Sequence, residues 1–595
     1  MMGAILLYLG VSTVVGQTDA VSVSPSTARM AGQAAPIGSG NSSASSGRQT
    51  ESEQNPNNMG SPYVPLDSWI YAALDRLASM GLVNSGFAGM RPWTRMACAQ
   101  MVAEAQEQVD ESDSVASEIV GELARELRPE LDPTDNTQFR MESIYSRTEK
   151  ISGEPLTDGY DFAQTQYDDF GRPYGEGWNT VNGFSAYATH GHWVVYVRGE
   201  GQTAPSIPAL PATAREWVAS DLSLPLPPAA PQAAKKQFTL LDTYVGVMLR
   251  NWQLSFGRQS LWWGTGRGTS LDFSNNIQPI DMIRINRTIP LELPSILHWL
   301  GPMRTEFFLG RLSGYEFIYS PLGLSGQWGQ ALSDQPFMHG QNISFKPTSN
   351  FEFGFYRTTI FSGEGYPFTT HSLIASLFDT GNAKAGAPDK PGKRTSALDF
   401  SYRLPGLRNW VTFYADGYIN DEFSPIAYPT WSAWHPGLYF SHLPRLHKLD
   451  FRVEGVYTDV PVRGGTNWPG TFFFDLTWRN GYTNNGNLIG SWIGRGGQGA
   501  QAWTNYWFNA RSSLQLNFRH QKVSHQFVPN GGSLTDFGVR GDYWFRHLVA
   551  LSASLQYERW LFPIIEPGSQ RNVSAFIGLE LLPNKIFRPK ARGAF

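Results

Sequence analysis

Flat aromatic rings beside amides and guanidinium groups are the chemistry that grips a sugar, and several stretches of this chain carry that mixture. Trp431 and Trp434 stand near Tyr428, Trp468 follows Asn467, Tyr482 precedes Asn484, Asn485 and Asn487, and Trp492 precedes Arg495. A ring face packs on the C–H side of a pyranose, while planar polar groups hydrogen-bond its hydroxyls. Trp431, Trp434, Trp468, Tyr482, Asn484, Trp492 and Arg495 are therefore the candidate polysaccharide-binding residues. The same residue types also serve as membrane-interface anchors or as loop packing.

Other chemistries lack their signatures. The chain has no G-x-S-x-G elbow, no H-E-x-x-H and no phosphate loop. No enzyme activity and no cofactor are expected. His190 and His192 lie two apart on one strand face, and no third ligand follows nearby, so no metal site is expected. The lone cysteine, Cys98, excludes an internal disulfide and fits a small core residue. A net charge of −4 without a basic patch argues against nucleic acid as a partner.

These candidates lie between strands. Leu449, Phe451, Val453 and Tyr457 alternate with Asp450, Arg452, Glu454 and Thr458, and Leu551, Ala553, Leu555 and Tyr557 alternate with Ser552, Ser554, Gln556 and Glu558. Side chains flip at every residue of a strand, so each segment has one apolar and one polar face. That suits a wall with lipid outside and a polar lumen inside. Aromatics make up 13% of the chain, the load of an interfacial girdle, and charged residues only 16%. Lipid forbids unpaired backbone, so such strands must close into a barrel.

Strands are predicted at 137–147, 180–188, 192–199, 239–249, 252–258, 305–312, 343–347, 351–358, 397–403, 410–418, 448–458, 471–479, 502–510, 512–519, 537–545, 548–558 and 573–581. An even total is expected of such a barrel. The intervals 201–237, 264–303, 363–396, 419–446 and 480–500 read as long loops. Arg258 and Arg311 are expected to pair with lumen carboxylates such as Asp416, Asp450 and Glu454.

Ahead of the strands, residues 1–16 carry a short apolar run and read as a secretory signal, although no Lys or Arg precedes Arg29. Residues 17–61 are rich in Ser, Gly, Asn and Gln and read as a disordered linker. Residues 62–132 read as a small helical periplasmic domain, with helices capped by Asp67 and Thr94 and a third from about Val115 to Leu127. Residues 133–595 form the transmembrane β-barrel with long loops, ending on Phe595, a terminal aromatic of the kind barrel-assembly signals use.

One cluster extends this reading. Gly257-Arg258-Gln259-Ser260-Leu261-Trp262-Trp263-Gly264 is followed by Ser274-Asn275-Asn276 and Pro279. It resembles the Wzi-type capsule-assembly proteins of Gram-negative outer membranes. The resemblance extends to Asp169-Phe170-Gly171-Arg172-Pro173-Tyr174, Phe308-Leu309-Gly310, Ser344-Phe345-Lys346-Pro347 and Phe361-Ser362-Gly363-Glu364-Gly365. It implies an all-β membrane protein, a large antiparallel outer-membrane β-barrel of about 16–18 strands, preceded by a small helical periplasmic domain. It also implies a lectin-like, non-catalytic role in holding capsular polysaccharide or exopolysaccharide at the cell surface. Arg258, Trp262, Trp263, Gly264, Asn275 and Asn276 are the family-motif residues, read as structural because a loop folded into a lumen needs amides to satisfy its backbone. The segment from Leu66 to Arg95 further resembles one S-layer-homology repeat, with Met96 where an acidic residue is usual. Its implied partner is peptidoglycan, beside outer-membrane lipid and the polysaccharide-export machinery. A carbohydrate-selective porin with a periplasmic wall-binding domain is the alternative function.

Overall fold

The structure, a computed structural model, describes residues 58–110, 112–131, 136–379, 384–407, 409–420, 424–460, 468–583 and 586–587. The expected signal segment, most of the expected linker and Phe595 lie outside these residues. The last linker residues, 58–61, are described: Met59 and Ser61 are buried, and Gly60 N donates to Gly191 O at 2.9 Å.

Among the described residues, eighteen long antiparallel strands close into a barrel. In chain order they are β1 Gln138–Ser152, β2 Gly177–His190, β3 Trp193–Ala204, β4 Lys235–Leu249, β5 Trp252–Gln259, β6 Ile280–Arg287, β7 Met303–Arg311, β8 Phe337–Thr348 and β9 Phe351–Phe361. They continue as β10 Lys393–Arg403, β11 Val411–Asn420, β12 Ala433–Phe440, β13 Leu449–Tyr457, β14 Gly497–Trp507, β15 Ser513–Val523, β16 Gly532–Phe545, β17 Val549–Leu561 and β18 Gln570–Leu581. The seam closes between β1 and β18, from Ile144↔Leu581 to Ser152↔Val573. One end carries short turns, such as Gly191–His192 and Arg250–Asn251; the other carries long loops.

Three sequence expectations fail here. Residues 280–287 and 433–440, read as loop, are β6 and β12. In β6 the buried inner face includes Arg284 and Asn286, so apolar alternation is blurred. In β12, Pro436 and Gly437 interrupt the pattern. Residues 471–479 are not a wall strand: Phe472, Phe473 and Trp478 are buried inside the barrel as part of a loop.

Among the described residues four helices precede the wall: α1 Trp69–Ser79, α2 Arg95–Gln108, α3 Ser114–Glu126 and the short α4 Arg128–Leu131. Thr94 caps α2, its Oγ1 accepting from Ala97 N at 3.1 Å. Ser68, not Asp67, caps α1. Asp67 is drawn away by Arg198 at 2.8 Å, a charge-assisted contact stronger than a cap. The helices bury Leu74, Leu77, Val102, Ile119 and Leu123 against each other at the short-turn end of the barrel. There Arg403 donates to Ala78 O at 3.0 Å, and the Arg511 guanidinium lies 4.0 Å from the Trp69 ring. No helix among the described residues is long and apolar enough to cross a membrane.

Facing is clearest on the last strands. Leu555 and Ile577 are 52% and 63% exposed on the outer wall, while Ser554 and Gln556 point inward. Arginine at Leu555 or Ile577 is expected to cost about 2–4 kcal/mol near the bilayer midplane, and arginine at Ser554 far less. Urea unfolding in lipid vesicles measures this, and equal costs on both faces would contradict the assignment.

Candidate functional site

The lumen is filled from both ends. Within β5, Gly257 has a φ of +132° that belongs to glycine, and a Cβ there would meet Thr243 O at 2.3 Å; the chain leaves the wall only after Gln259. It then runs inward through Trp262 and Trp263, which pair antiparallel with Arg91 and Met90 of the helical segment. The Trp263 ring is wholly buried against Phe273, Phe308 and Tyr356, and its Nε1 donates to Glu306 at 2.9 Å. Gly264 N donates to Gly89 O at 2.9 Å, tying the plug from the loop end to the helices from the other.

The turn that follows is latched to the wall. Asp416 accepts from Thr265 N at 2.7 Å and Thr265 Oγ1 at 2.8 Å. Glu454 accepts from Arg267 N and Gly268 N, both at 2.9 Å, and from the Tyr414 hydroxyl at 2.5 Å. His435 bridges the two carboxylates, Nδ1 at 3.3 Å from Asp416 and Nε2 at 3.1 Å from Glu454. Arg267 adds an ion pair with Asp75 of α1 at 2.5 Å.

The Ser-Asn-Asn stretch joins loops to one another. Ser274 Oγ donates to Gly490 O at 2.8 Å, and Asn276 Nδ2 donates to Leu488 O at 3.1 Å. Asn276 Oδ1 accepts from Gln164 Nε2 at 2.5 Å and Asp168 N at 3.1 Å, and Asn275 O accepts from Phe170 N at 2.7 Å. Three loops thus meet on two asparagines, which satisfies their buried backbone. Arg258 is elsewhere. It lies on the outer wall at 3.3 Å from Asp281, and Arg311 donates to Ser333 O at 3.2 Å, so neither reaches the expected lumen carboxylates.

The candidate sugar-binding residues divide into two groups. Tyr482, Asn484, Trp492 and Arg495 are all buried, because the loop between β13 and β14 folds back into the barrel. Each already bonds within the plug: Tyr482 to Asp272 at 3.0 Å, Asn484 to Gln278 O at 3.0 Å, Trp492 to Gln501 at 3.0 Å and Arg495 to Asp221 at 2.6 Å. Trp431, Trp434 and Trp468 stay at the long-loop rim. Tyr428 and Trp431 stack with ring centroids 5.5 Å apart and planes 10° apart, and Trp468 is 44% exposed. The Trp434 ring covers Gly417 on the outer wall while its Nε1 donates to Pro429 O at 2.8 Å.

With this geometry in hand, the relatives can be placed. The family described as Capsule assembly protein Wzi matches residues 146–575. The chain belongs to the Wzi capsule-assembly family. The solved Wzi of Escherichia coli, described as an outer membrane protein involved in group 1 capsule assembly and a carbohydrate-binding β-barrel, superposes with a TM-score of 0.62 at 16% identity, covering 88% of this chain and 99% of that one. A curated Klebsiella pneumoniae relative, an uncharacterized 55.8 kDa protein in the cps region, is 25% identical over 190 residues, 31% of this chain. The match spans about a third of that relative's length (34%). OprD of Pseudomonas aeruginosa reaches a TM-score of only 0.38, at 11% identity over 75% of this chain and 95% of that one.

This Wzi-family barrel has site features that sequence reasoning missed. The latch histidine, His435, falls in a segment read as loop, and Asp416 and Glu454 were expected to meet arginines. Only the inward alternation of β11, β12 and β13, once all three are strands, brings the three groups together. His190 ends β2 and His192 lies in the turn that follows, so the two do not share a strand face, and His192 Nδ1 is 2.6 Å from Asn58 O. No group of metal ligands forms among the described residues.

Plug seating is expected to depend on pH. Burial lifts the Asp272 carboxyl from its ordinary 3.8 to about 7, against hydrogen bonds from Tyr482 and Thr395 that favour the ion. A carboxyl raised in this way binds its proton more tightly when the plug is seated. Its favourable contribution is complete below about pH 4 and is lost as pH rises towards 7. Hydrogen exchange of residues 260–279, corrected for intrinsic rates, is therefore expected to be faster at alkaline pH than at acid pH. Asp272→Asn is expected to flatten that difference, and an unchanged profile would rule the cause out.

Proposed function

We propose that this outer-membrane barrel of the Wzi family binds and tethers surface polysaccharide at its long-loop rim, without catalysing a reaction on it. The observation that carries this reading is a filled lumen beneath a rim bearing solvent-facing rings. Tyr428 and Ile426 are 39% and 65% exposed beside stacked Trp431, and Trp468 stands on the loop after β13, two strands along the wall. A stacked aromatic pair offers a flat platform for a sugar face, and nearby backbone and hydroxyl groups offer hydrogen bonds. The carbohydrate binding in the description of the Escherichia coli relative favours the same reading. Short turns lie on the periplasmic side of such barrels, so the helices close the periplasmic end. Their aromatic surface is largely engaged, Trp69 with Arg511 and Trp544 and Trp93 in the helical core, which leaves wall binding without a supporting observation.

The test is polymer retention. Tyr428→Ala, Trp431→Ala and Trp468→Ala together are expected to release most cell-bound polysaccharide into the medium while the barrel level in the outer membrane stays normal. An aromatic stacking contact is worth about 0.5–1.5 kcal/mol between two rings, and with a similar gain on a sugar face single replacements should weaken retention only about two- to tenfold. Retention equal to wild type in the triple variant would count against the rim. Planar-bilayer recording distinguishes the porin alternative: steady ohmic openings from the unmodified protein would favour it.

A further inference from the structure

We propose that the barrel holds a second glycan site inside its lumen: the chamber between the inner wall of β1 and β14–β18 and the helices takes a short, hydroxyl-rich oligosaccharide. The inference rests on the reading of the protein as a polysaccharide binder and adds a place where a chain segment or chain end is received.

The chamber measures about 690 Å³, within the range of about 300–1,000 Å³ typical of small-molecule sites. Its wall sets short residues on β17 and β18 beside larger rings, Trp503, Trp507, Trp544 and Phe576. Ser552 and Ser554 of β17 and Ser574 and Gly578 of β18 line it, whereas Tyr414, Tyr418 and Met338 fill the corresponding space on other strands. Its floor is the Leu66–Trp69 segment that opens α1, and its roof is the Asp168–Arg172 loop. That roof is anchored by Arg172, whose Nε donates to the buried Glu200 at 2.9 Å.

Three properties of the lining suit a sugar. First, a polar group there is uncommitted: Nε2 of Gln556 is buried without a hydrogen-bond partner among the described residues. A buried donor in this state is costly to leave unpaired, so a ligand that satisfies it gains affinity. Second, charged heads remain open to the chamber even though protein surrounds them: the Arg540 side chain is 44% exposed, Asp542 28% and Asp67 27%. Third, both signs alternate along the wall, with Arg147, Arg198 and Arg540 facing Asp67 and Asp542. An anion would want one sign and an apolar ligand neither. A ring of hydroxyls, each a donor and an acceptor, matches the mixture.

The test uses the whole detergent-solubilised protein and two sets of probes. One is the oligosaccharides released by partial acid hydrolysis of the surface polysaccharide of the producing cells; the other is the disaccharide repeats of the wall glycan. Calorimetry is expected to detect binding of one set to wild type, and the set that binds identifies the source. Ser554→Trp, which fills the chamber, and Gln556→Leu, which removes an uncommitted donor with little change in volume, are each expected to weaken that binding tenfold or more. Leu555→Ala, on the lipid-facing side of β17, is expected to leave it unchanged. Binding to neither set, or equal binding by wild type and both chamber variants, would overturn the chamber. Capture of intact polymer by wild type in the same experiment keeps the two readings apart: capture without fragment binding leaves the rim standing and sinks the chamber, whereas loss of both sinks the polysaccharide reading itself.

Discussion

Asp416→Ala combined with Glu454→Ala is expected to turn a silent barrel into a flickering channel in planar bilayers. These two side chains hold the Thr265–Gly268 turn by four backbone and hydroxyl hydrogen bonds, and His435 braces them from between. Each contact lies in a dry interior where a charged acceptor contributes about 1.5–3 kcal/mol. Removing all four takes away several kcal/mol that seat the plug but little that holds the wall, whose ladder of backbone bonds is untouched. Eighteen strands leave an aqueous pore when nothing fills them. The plug would still be tethered through Trp262 and Trp263 to Arg91 and Met90, so transient openings are expected instead of a permanent pore. Asp416→Asn with Glu454→Gln keeps acceptor oxygens and is expected to stay nearly silent. If the double alanine variant inserts and remains closed, the latch is not what seats the plug.

The parts of this fold that a reader of the sequence recovers are those where one face meets lipid. Strand β17 is an example: Leu551, Leu555 and Tyr557 stay 47%, 52% and 43% exposed on the outside, and the serines between them look inward, so period-two alternation is a direct record of the wall. Strand β6 hides because its inner face must hold Arg284 and Asn286 for a buried network, and its outer face has little more than Ile283 and Ile285 to announce it. The loops are a different problem. Tyr482 and Trp492 have the same residue types as Tyr428, Trp431 and Trp468, yet the first set, with Arg495, is core and the second is rim. An aromatic ring or a guanidinium serves a dry plug as well as it serves a sugar, because both demand apolar area with a few satisfied polar atoms. What separates them is where the backbone goes. The β13–β14 loop goes inward because glycines allow it, as at Gly481, where φ is +67° and a Cβ would meet the Tyr160 hydroxyl at 2.1 Å, and at Gly490, where it would meet Leu271 O at 2.2 Å. The helix-capping error has a similar origin: Asp67 is a sound cap by local rules, and only the distant Arg198 decides otherwise.

Glu306→Ala is expected to be the most destabilising single replacement in the wall, by about 3–5 kcal/mol. Its carboxylate is fully buried and serves three side chains at once, two on the neighbouring strand and one in the plug. It pairs with Arg284 of the neighbouring strand, accepts from Asn286 Nδ2 at 3.1 Å and accepts from the Trp263 indole of the plug at 2.9 Å. Arg284 in turn lies 4.1 Å from the ring of Tyr63, in the segment that leads into the helices. Alanine here leaves a guanidinium without its counter-charge and an indole N–H without an acceptor in a region no water reaches readily. The cost is therefore that of an orphaned charge, not that of one lost hydrogen bond. Glu306→Gln keeps an acceptor for Trp263 and is expected to recover part of the loss. Replacing both members, Arg284→Met with Glu306→Leu, removes the charge problem altogether and is expected to be milder than Glu306→Ala alone, because a buried pair often does no better than apolar residues of similar volume. Urea unfolding in vesicles ranks the three variants, and hydrogen exchange across residues 260–279 shows whether the plug loosens with the wall. A double variant less stable than Glu306→Ala would mean that the pair contributes through its own attraction and not through the penalty of breaking it.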